Sequence, residues 1–194
     1  MRKMLFIDIE TAPALAYTFS LFKPYIQHTM VKENPYIMCF SAKWLGDPDK
    51  KCMFYSIQDD GEEAMFQALW DLLDEADVIV TYNGIRFDLP WIDGELIARG
   101  FQPPSPSQRI DLYREYKAHS RWISTKLDYV SQRLLEDHKV EHEGWGLWLK
   151  CMAGDAAAWR KMKKYSIKDT NLMPRIYEII KARVAKMAAA RAAK

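Results

Sequence analysis

The chain has 194 residues, with 28 lysines and arginines against 26 aspartates and glutamates and a formal charge of +2. That length predicts a single domain over residues 1–194, and 49% hydrophobic with 13% aromatic residues is enough for a sizeable core. The near-balance of charge neither requires nor forbids nucleic acid, because local patches matter more than the sum. Cys39, Cys52 and Cys151 are odd in number and lack C-x-x-C spacing, which argues against a disulfide framework or a zinc site. Reduced core thiols in a cytoplasmic protein are the expectation. The apolar run before Asp8 is too short for a signal peptide. No stretch approaches the roughly 20 apolar residues that span a bilayer, so no membrane role is expected.

Met4–Ile9 predicts a short buried strand that ends in acids. Residues 11–35 carry Pro13, Pro24 and Pro35 without a period and predict irregular chain with one helical turn. Pro35–Trp44 and Lys51–Ile57 predict two strands joined as an antiparallel hairpin at Gly46-Asp47-Pro48-Asp49. Behind the acids Asp59, Asp60 and Glu62, apolar residues from Ala64 to Leu73 fall at helical spacing and predict a helix over Glu62–Glu75. Val78-Ile79-Val80 predicts a buried strand within Asp77–Tyr82, broken by Asn83-Gly84. A helix follows over Leu89–Arg99, with Asp88 near its N-cap and Gly100 past its end. Gln102–Gln108 is a proline-rich loop, and Ile110–Tyr113 a last short strand. Ser124-Thr125 caps a helix running to about Leu135. Lys139–Gly146 is polar and irregular, and from Asp155 onward the pattern is helical, with Pro174 expected to kink or divide it. Residues 186–194 extend that helix or fray. The order predicts an α/β fold, a mixed sheet with an antiparallel portion flanked by helices, whose strand order stays open.

Three short motifs carry chemistry. Asp8 and Glu10 are two apart on a strand, so both carboxylates project to one face and Ile7 and Ile9 to the other. Two anions inside an apolar strand repel and resist desolvation, and a divalent cation offsets that best. Tyr82-Asn83-Gly84-Ile85-Arg86-Phe87-Asp88 places an acid just past the carboxyl end of a buried strand, where α/β sheets bind ligands. Tyr165 and Asp169, four apart on a helix, share a face behind the basic run Arg160, Lys161, Lys163 and Lys164. Taken singly, each fits a plainer account: a solvated strand end, an N-cap, an ordinary amphipathic helix.

Together, in this order and spacing, the motifs resemble the DnaQ-like 3′–5′ exonucleases of the ribonuclease H-like superfamily. Phe6-Ile7-Asp8-Ile9-Glu10-Thr11 is similar to their first motif, Tyr82 to Asp88 to their second, and Tyr165 to Asp169 to the Y-x-x-x-D form of the tyrosine (DEDDy) subgroup. The histidine subgroup has His five before the last acid, where this chain has Lys164. The similarity is strongest to exonuclease domains of the family-B polymerase type, and the length implies a free-standing exonuclease. The resemblance implies a five-stranded ribonuclease H-like sheet and two Mg2+ or Mn2+ ions. Asp8 would bridge both, Glu10 and Asp169 would help hold the first, and Asp88 the second.

By the same resemblance Tyr165 would orient the attacking water. Thr11 and Asn83 would contact the terminal nucleotide, and Phe87 would pack against a base or else in the core. The implied activity is hydrolysis of phosphodiester bonds at the 3′ end of DNA with release of nucleoside 5′-monophosphates. Single-stranded DNA ends are the expected partner, with replication or repair proteins beyond them. An exoribonuclease of the same fold and a non-catalytic nucleic-acid-binding module are the alternatives. Arg86, Lys117, Arg121, Lys126, Arg160, Lys163 and Lys164 are candidates for phosphate contacts. His138, His142, Trp122, Trp145, Trp148 and Asp111 are expected to be surface or structural residues.

Overall fold

The computed structural model describes residues 2–192. Among the described residues there are seven strands: β1 Met4–Thr11, β2 Leu15–Ala16, β3 Val31–Glu33, β4 Ile37–Trp44, β5 Met53–Ser56, β6 Val78–Thr81 and β7 Gln108–Asp111. The helices are α1 Glu62–Glu75, α2 Asp88–Ala98, α3 Leu112–His119, α4 Leu127–Leu135, α5 Trp145–Met152 and α6 Ala156–Ala192. Five strands form one sheet in the order β5-β4-β1-β6-β7. The pairs β5–β4 and β4–β1 are antiparallel; β1–β6 and β6–β7 are parallel. The expected mixed sheet with an antiparallel hairpin is therefore present, and β1, which carries Asp8 and Glu10, lies at its centre.

Strand alternation divides β1 between two cores. Leu5, Ile7 and Ile9 face the layer of α1 and α2, where they meet Phe66, Leu69 and Ile92. Phe6, Asp8 and Glu10 point to the opposite face. There Phe6 packs with Val80, Leu112, Val130 and Leu172 under α3, α4 and α6. A third cluster, with Met38, Cys39, Leu147, Cys151, Trp159 and Met162, fixes α5 against the first turns of α6.

Most elements lie where the sequence placed them, and the departures have local causes. The segment 11–35 is not wholly irregular: β2 and β3 pair as a short ribbon, and His28–Met30 is the one helical turn. Strands of two and three residues are too short to print a period. The expected strand at Ile110–Tyr113 ends at Asp111, whose side chain accepts from Tyr113 N at 3.0 Å and starts α3. Helix α5, Trp145–Met152, begins within the stretch 139–146 expected to be irregular and fills the interval before Asp155 for which no element is expected. Ser124 and Thr125 do not cap α4; Lys126 is the N-cap and makes no side-chain cap bond. Asp88 is the first residue of α2, not a cap, and its carboxylate is used elsewhere. Gly100, with φ +75°, ends α2 as expected.

Pro174 does not divide α6, which runs unbroken for 37 residues. Flanking packing holds it, with Leu172, Met173 and Ile176 all fully buried. The tail from residue 186 continues the helix to Ala192, and residues 193 and 194 lie outside the described residues. Among the described residues no helix is long and apolar enough to cross a membrane.

A buried polar seam sets α6 on the sheet. Ser41 of β4 stands opposite Asp8 in the ladder. Its Oγ donates to the Ser166 carbonyl at 2.9 Å, accepts from Ser166 Oγ at 2.7 Å and lies 2.7 Å from Thr170 Oγ1. Ser41, Ser166 and Thr170 are fully buried, so these bonds have no water to replace them. Replacing Ser41 by alanine leaves the Ser166 hydroxyl without its acceptor. Urea unfolding of Ser41→Ala should show a loss of about 1–3 kcal/mol.

Candidate active site

The end of β1 and the turn after β6 are built to place acids side by side. β1 pairs with β6 only through Met4, Leu5 and Phe6. Beyond that point the β1 backbone has no neighbour on this side. Asp88 Oδ1 takes the Ile9 N–H at 3.1 Å and so stands in for the missing strand. The turn that delivers Asp88 is held by Asp111, which accepts from Asn83 N at 2.8 Å and from Ile85 N at 3.4 Å. Asn83 is left-handed, φ +66°, a conformation asparagine tolerates. A Cβ on Gly84 would lie 2.4 Å from the Thr81 side chain, so only glycine passes there. Asp111 is thus structural, as expected, and its task is to anchor this turn.

On the other side, the Ser41 seam fixes the turn of α6 that carries Tyr165 and Asp169. Asp8, Glu10, Asn83, Phe87, Asp88, Tyr165 and Asp169 all line one open cleft of about 1320 Å³. Thr11 lines a neighbouring groove of about 460 Å³ that shares Glu10 and Phe87 with the cleft. Arg86 and Lys126 also reach the cleft wall. Of the other basic candidates, Lys117 lies over the Tyr113 ring and Lys163 over Phe54.

The carboxylates sense one another. Burial, with Asp88, Glu10 and Asp169 adding repulsion, holds Asp8 well above the usual carboxylate range. Burial and then Asp169 push Glu10 up to about 8. Asp88 is pushed up to about 6 by burial, against the pull of the Ile9 amide. Burial raises Asp169, and Lys139 opposes the shift. The Tyr165 phenol is driven far up by burial and by Asp169, Glu10 and Asp8, so it stays protonated.

Lys139 is the residue that sequence reasoning passed over. Its Nζ pairs with Asp169 Oδ2 and lies 3.3 Å from Tyr165 OH, above the Tyr165 ring. The loop that brings it is pinned at both ends. Asp137 pairs with Lys168 and Arg175 of α6, and Glu143 with Lys150 and Lys161. A lysine in a polar run between two helices carries no periodic signal. The ion pairs on either side, with the Lys139 amide donating to Asp128 Oδ1 at 3.3 Å, bring it over the acids. His138 is exposed at the cleft margin. His142 instead packs its ring 4.8 Å from Tyr165, with Trp148 at 5.9 Å, and together they wall the phenol in place. Trp122 is partly buried against the second core and meets Tyr116 edge-on, while Trp145 is 71% exposed.

Among the described residues no three of these side chains form a closed ligand cage as they stand. The cation lodged beside them is the Lys139 ammonium. The donor set nevertheless fits a hard divalent ion: four mutually repelling carboxylates, with Asp169 Oδ1 buried and without a hydrogen-bond partner.

A profile of the RNase_H superfamily matches residues 26–181, and the chain belongs to that superfamily. The match includes Asp88, Lys139, Tyr165 and Asp169; Asp8 and Glu10 lie ahead of it and join through the fold. Among solved structures, a family B DNA polymerase from the hyperthermophilic archaeon Pyrobaculum calidifontis is similar over 93% of this chain, with TM-score 0.67 and 15% identity. The chain covers 24% of that polymerase, and at this identity the likeness is one of fold. Comparison with curated proteins finds no significant match.

Glu10 gives a pH test of the crowded acids. Its ordinary value is 4.5 and its folded value about 8. The folded state therefore keeps a proton that the unfolded chain has already lost. This contribution is fully present below about 4.5 and is lost as pH rises through about 8. Metal-free protein should melt at falling temperature between these limits, and Glu10→Gln should flatten that slope in calorimetry. An identical slope in the variant would mean that Glu10 titrates as an ordinary carboxylate.

Proposed function

We propose that this chain is a divalent-cation-dependent 3′–5′ exonuclease that hydrolyses phosphodiester bonds and releases nucleoside 5′-monophosphates. The observation that carries the proposal is the meeting of Asp8, Glu10, Asp88 and Asp169 in one cleft, from three distant segments, with their carboxyl groups pushed toward neutrality. Membership of a superfamily that includes nucleases supports the reading, and likeness to a DNA polymerase favours DNA over RNA.

Asp8, Glu10, Asp88 and Asp169 would hold Mg2+ or Mn2+, two ions on the family pattern. When bound, such ions supply counter-charge to the attacking and leaving oxygens of the phosphodiester. The rest falls to the chain. Tyr165 orients the attacking water through its OH, a phenol that burial raises above its ordinary value. Lys139, paired with Asp169 beside the Tyr165 OH, is placed to pair with a phosphate oxygen. Phe87, 41% exposed, offers its face to the terminal base, an arrangement that accepts any base. Thr11 and Asn83 flank the sugar. The helix that begins at Asp88 keeps this wall rigid.

The experiment is release of mononucleotides from matched 3′-labelled DNA and RNA strands with Mg2+ or Mn2+. Asp8→Asn should lower the rate about a thousandfold, the equivalent of roughly 4 kcal/mol. Tyr165→Phe, which keeps the ring and loses the OH, should lower it about a hundredfold. Lys139→Met should lower turnover while Lys139→Arg retains most of it. Native protein that degrades neither strand would defeat the proposal and favour a binding module.

A further inference from the structure

Residues 17–26 form an exposed arm on the loop between β2 and β3. Leu21, Phe22 and Tyr25 are 87%, 88% and 82% exposed, Phe19 is fully exposed, and Tyr17 is 68% exposed. So many large apolar side chains on one loop call for a ligand, because scattered single exposures are normal and clusters are not. The arm keeps its shape without packing on the body. Thr18 Oγ1 donates to Ser20 O at 2.8 Å, and Ser20 Oγ donates to Phe22 O at 2.9 Å. The amides of Ser20 and Phe22 return bonds to the same hydroxyls, at 3.3 and 3.2 Å. Its base is closed by Tyr17 N donating to Met30 O at 2.9 Å. These bonds shape the first half of the arm, and the rings stay exposed.

Two observations say what covers them. The first is continuity. Pro13 and Thr11, at the root of the arm, line the groove that carries Phe87, Trp145 and Trp148 and that shares Glu10 with the acid cleft. The groove is overwhelmingly apolar and is walled by aromatic rings. The second is charge. Residues 11–32 contain no acid, and their only charged side chains are Lys23 and Lys32, with His28 beside them. Apart from Glu10, which the groove shares with the acid cleft, the residues on this path are neutral or positive.

On the strength of the exonuclease reading, we infer that the aromatic arm at residues 17–26 stacks on bases of a single-stranded nucleic acid upstream of its 3′ end, the strand reaching it from the acid cleft through the Trp145 groove. Rings spaced along an exposed segment suit a strand whose bases are unpaired and unstacked. A duplex hides its base faces and would gain nothing from the arm. From Pro13 to Phe19 the chain can extend up to roughly 20 Å, so the arm serves strands of many nucleotides and not the terminal residue alone. It is a device for length preference, separate from the chemistry.

The test is binding without cleavage, in EDTA, by fluorescence anisotropy of labelled DNA strands. The triple variant Phe19→Ala, Phe22→Ala, Tyr25→Ala should bind a strand of about 12 nucleotides at least tenfold more weakly. Its affinity for a trinucleotide, too short to reach the arm, should change less than about twofold. Phe19→Trp, Phe22→Trp should keep the long-strand affinity, since either ring can stack. These side chains are exposed, so the melting temperature should match that of the native chain. Equal long-strand affinity in the triple variant overturns the inference. So does loss of self-association, or of binding to anionic phospholipid vesicles, in place of loss of DNA binding. If the native chain cleaves DNA and the triple variant binds long strands normally, the inference alone fails. If the native chain neither cleaves nor binds, the exonuclease reading fails with it.

Discussion

Burial of carboxylates beside one another governs this structure. Acids that approach one another in a partly dry cleft oppose folding. For Glu10 the rise from 4.5 to about 8 corresponds to a cost on the order of 5 kcal/mol at high pH. That is a large share of the stability of an ordinary domain. Such a cluster persists only where the scaffold imposes it. Here the scaffold is the central strand β1 with β4 on one side, β6 on the other and α6 across its face. Each neighbour is fixed by a bond that leaves the chain no choice: the β1–β4 ladder, the Asp88 carboxylate on the Ile9 amide, and the Ser41 seam under α6.

Three segments far apart in sequence meet because of this topology. Parallel pairing of β1 and β6 brings the carboxyl ends of both strands to the same edge, and the turn after β6 then drops Asp88 beside Asp8. Helix α6 covers the face on which Phe6, Asp8 and Glu10 emerge, so Tyr165 and Asp169 complete the ring from above. The residues that do this positioning are not acids. Ser41, Ser166, Thr170, Asp111 and Gly84 act by buried hydrogen bonds or by the absence of a side chain. Their contribution to the site is geometric.

Lys139 answers part of the repulsion. Its ammonium opposes the upward shift of the Asp8, Glu10 and Asp169 carboxyl groups. The loop that carries it is tied to α6 through Asp137 and to α5 and α6 through Glu143. The same loop sets His142 and Trp148 against Tyr165, so the charge balance and the orientation of the phenol depend on one segment.

Much of this was legible in the sequence because it rests on local rules. Strand alternation put Asp8 and Glu10 on one face, the apolar period gave α1, and Asn83-Gly84 marked the turn before Asp88. The Y-x-x-x-D spacing placed Tyr165 and Asp169 on one side of a helix. What the sequence left open depends on contacts between distant segments. Asp88 looked like a helix cap and is in truth a partner for Ile9, which only the end of the β1–β6 pairing makes necessary. Pro174 looked like a helix breaker, yet the packing of Leu172, Met173 and Ile176 carries α6 past it. Lys139 showed no pattern at all, because an ion pair across 30 positions has no local signature. Periodicity and turn chemistry are properties of neighbouring residues and can be read along the chain; charge meeting charge across a fold exists only once the fold has formed.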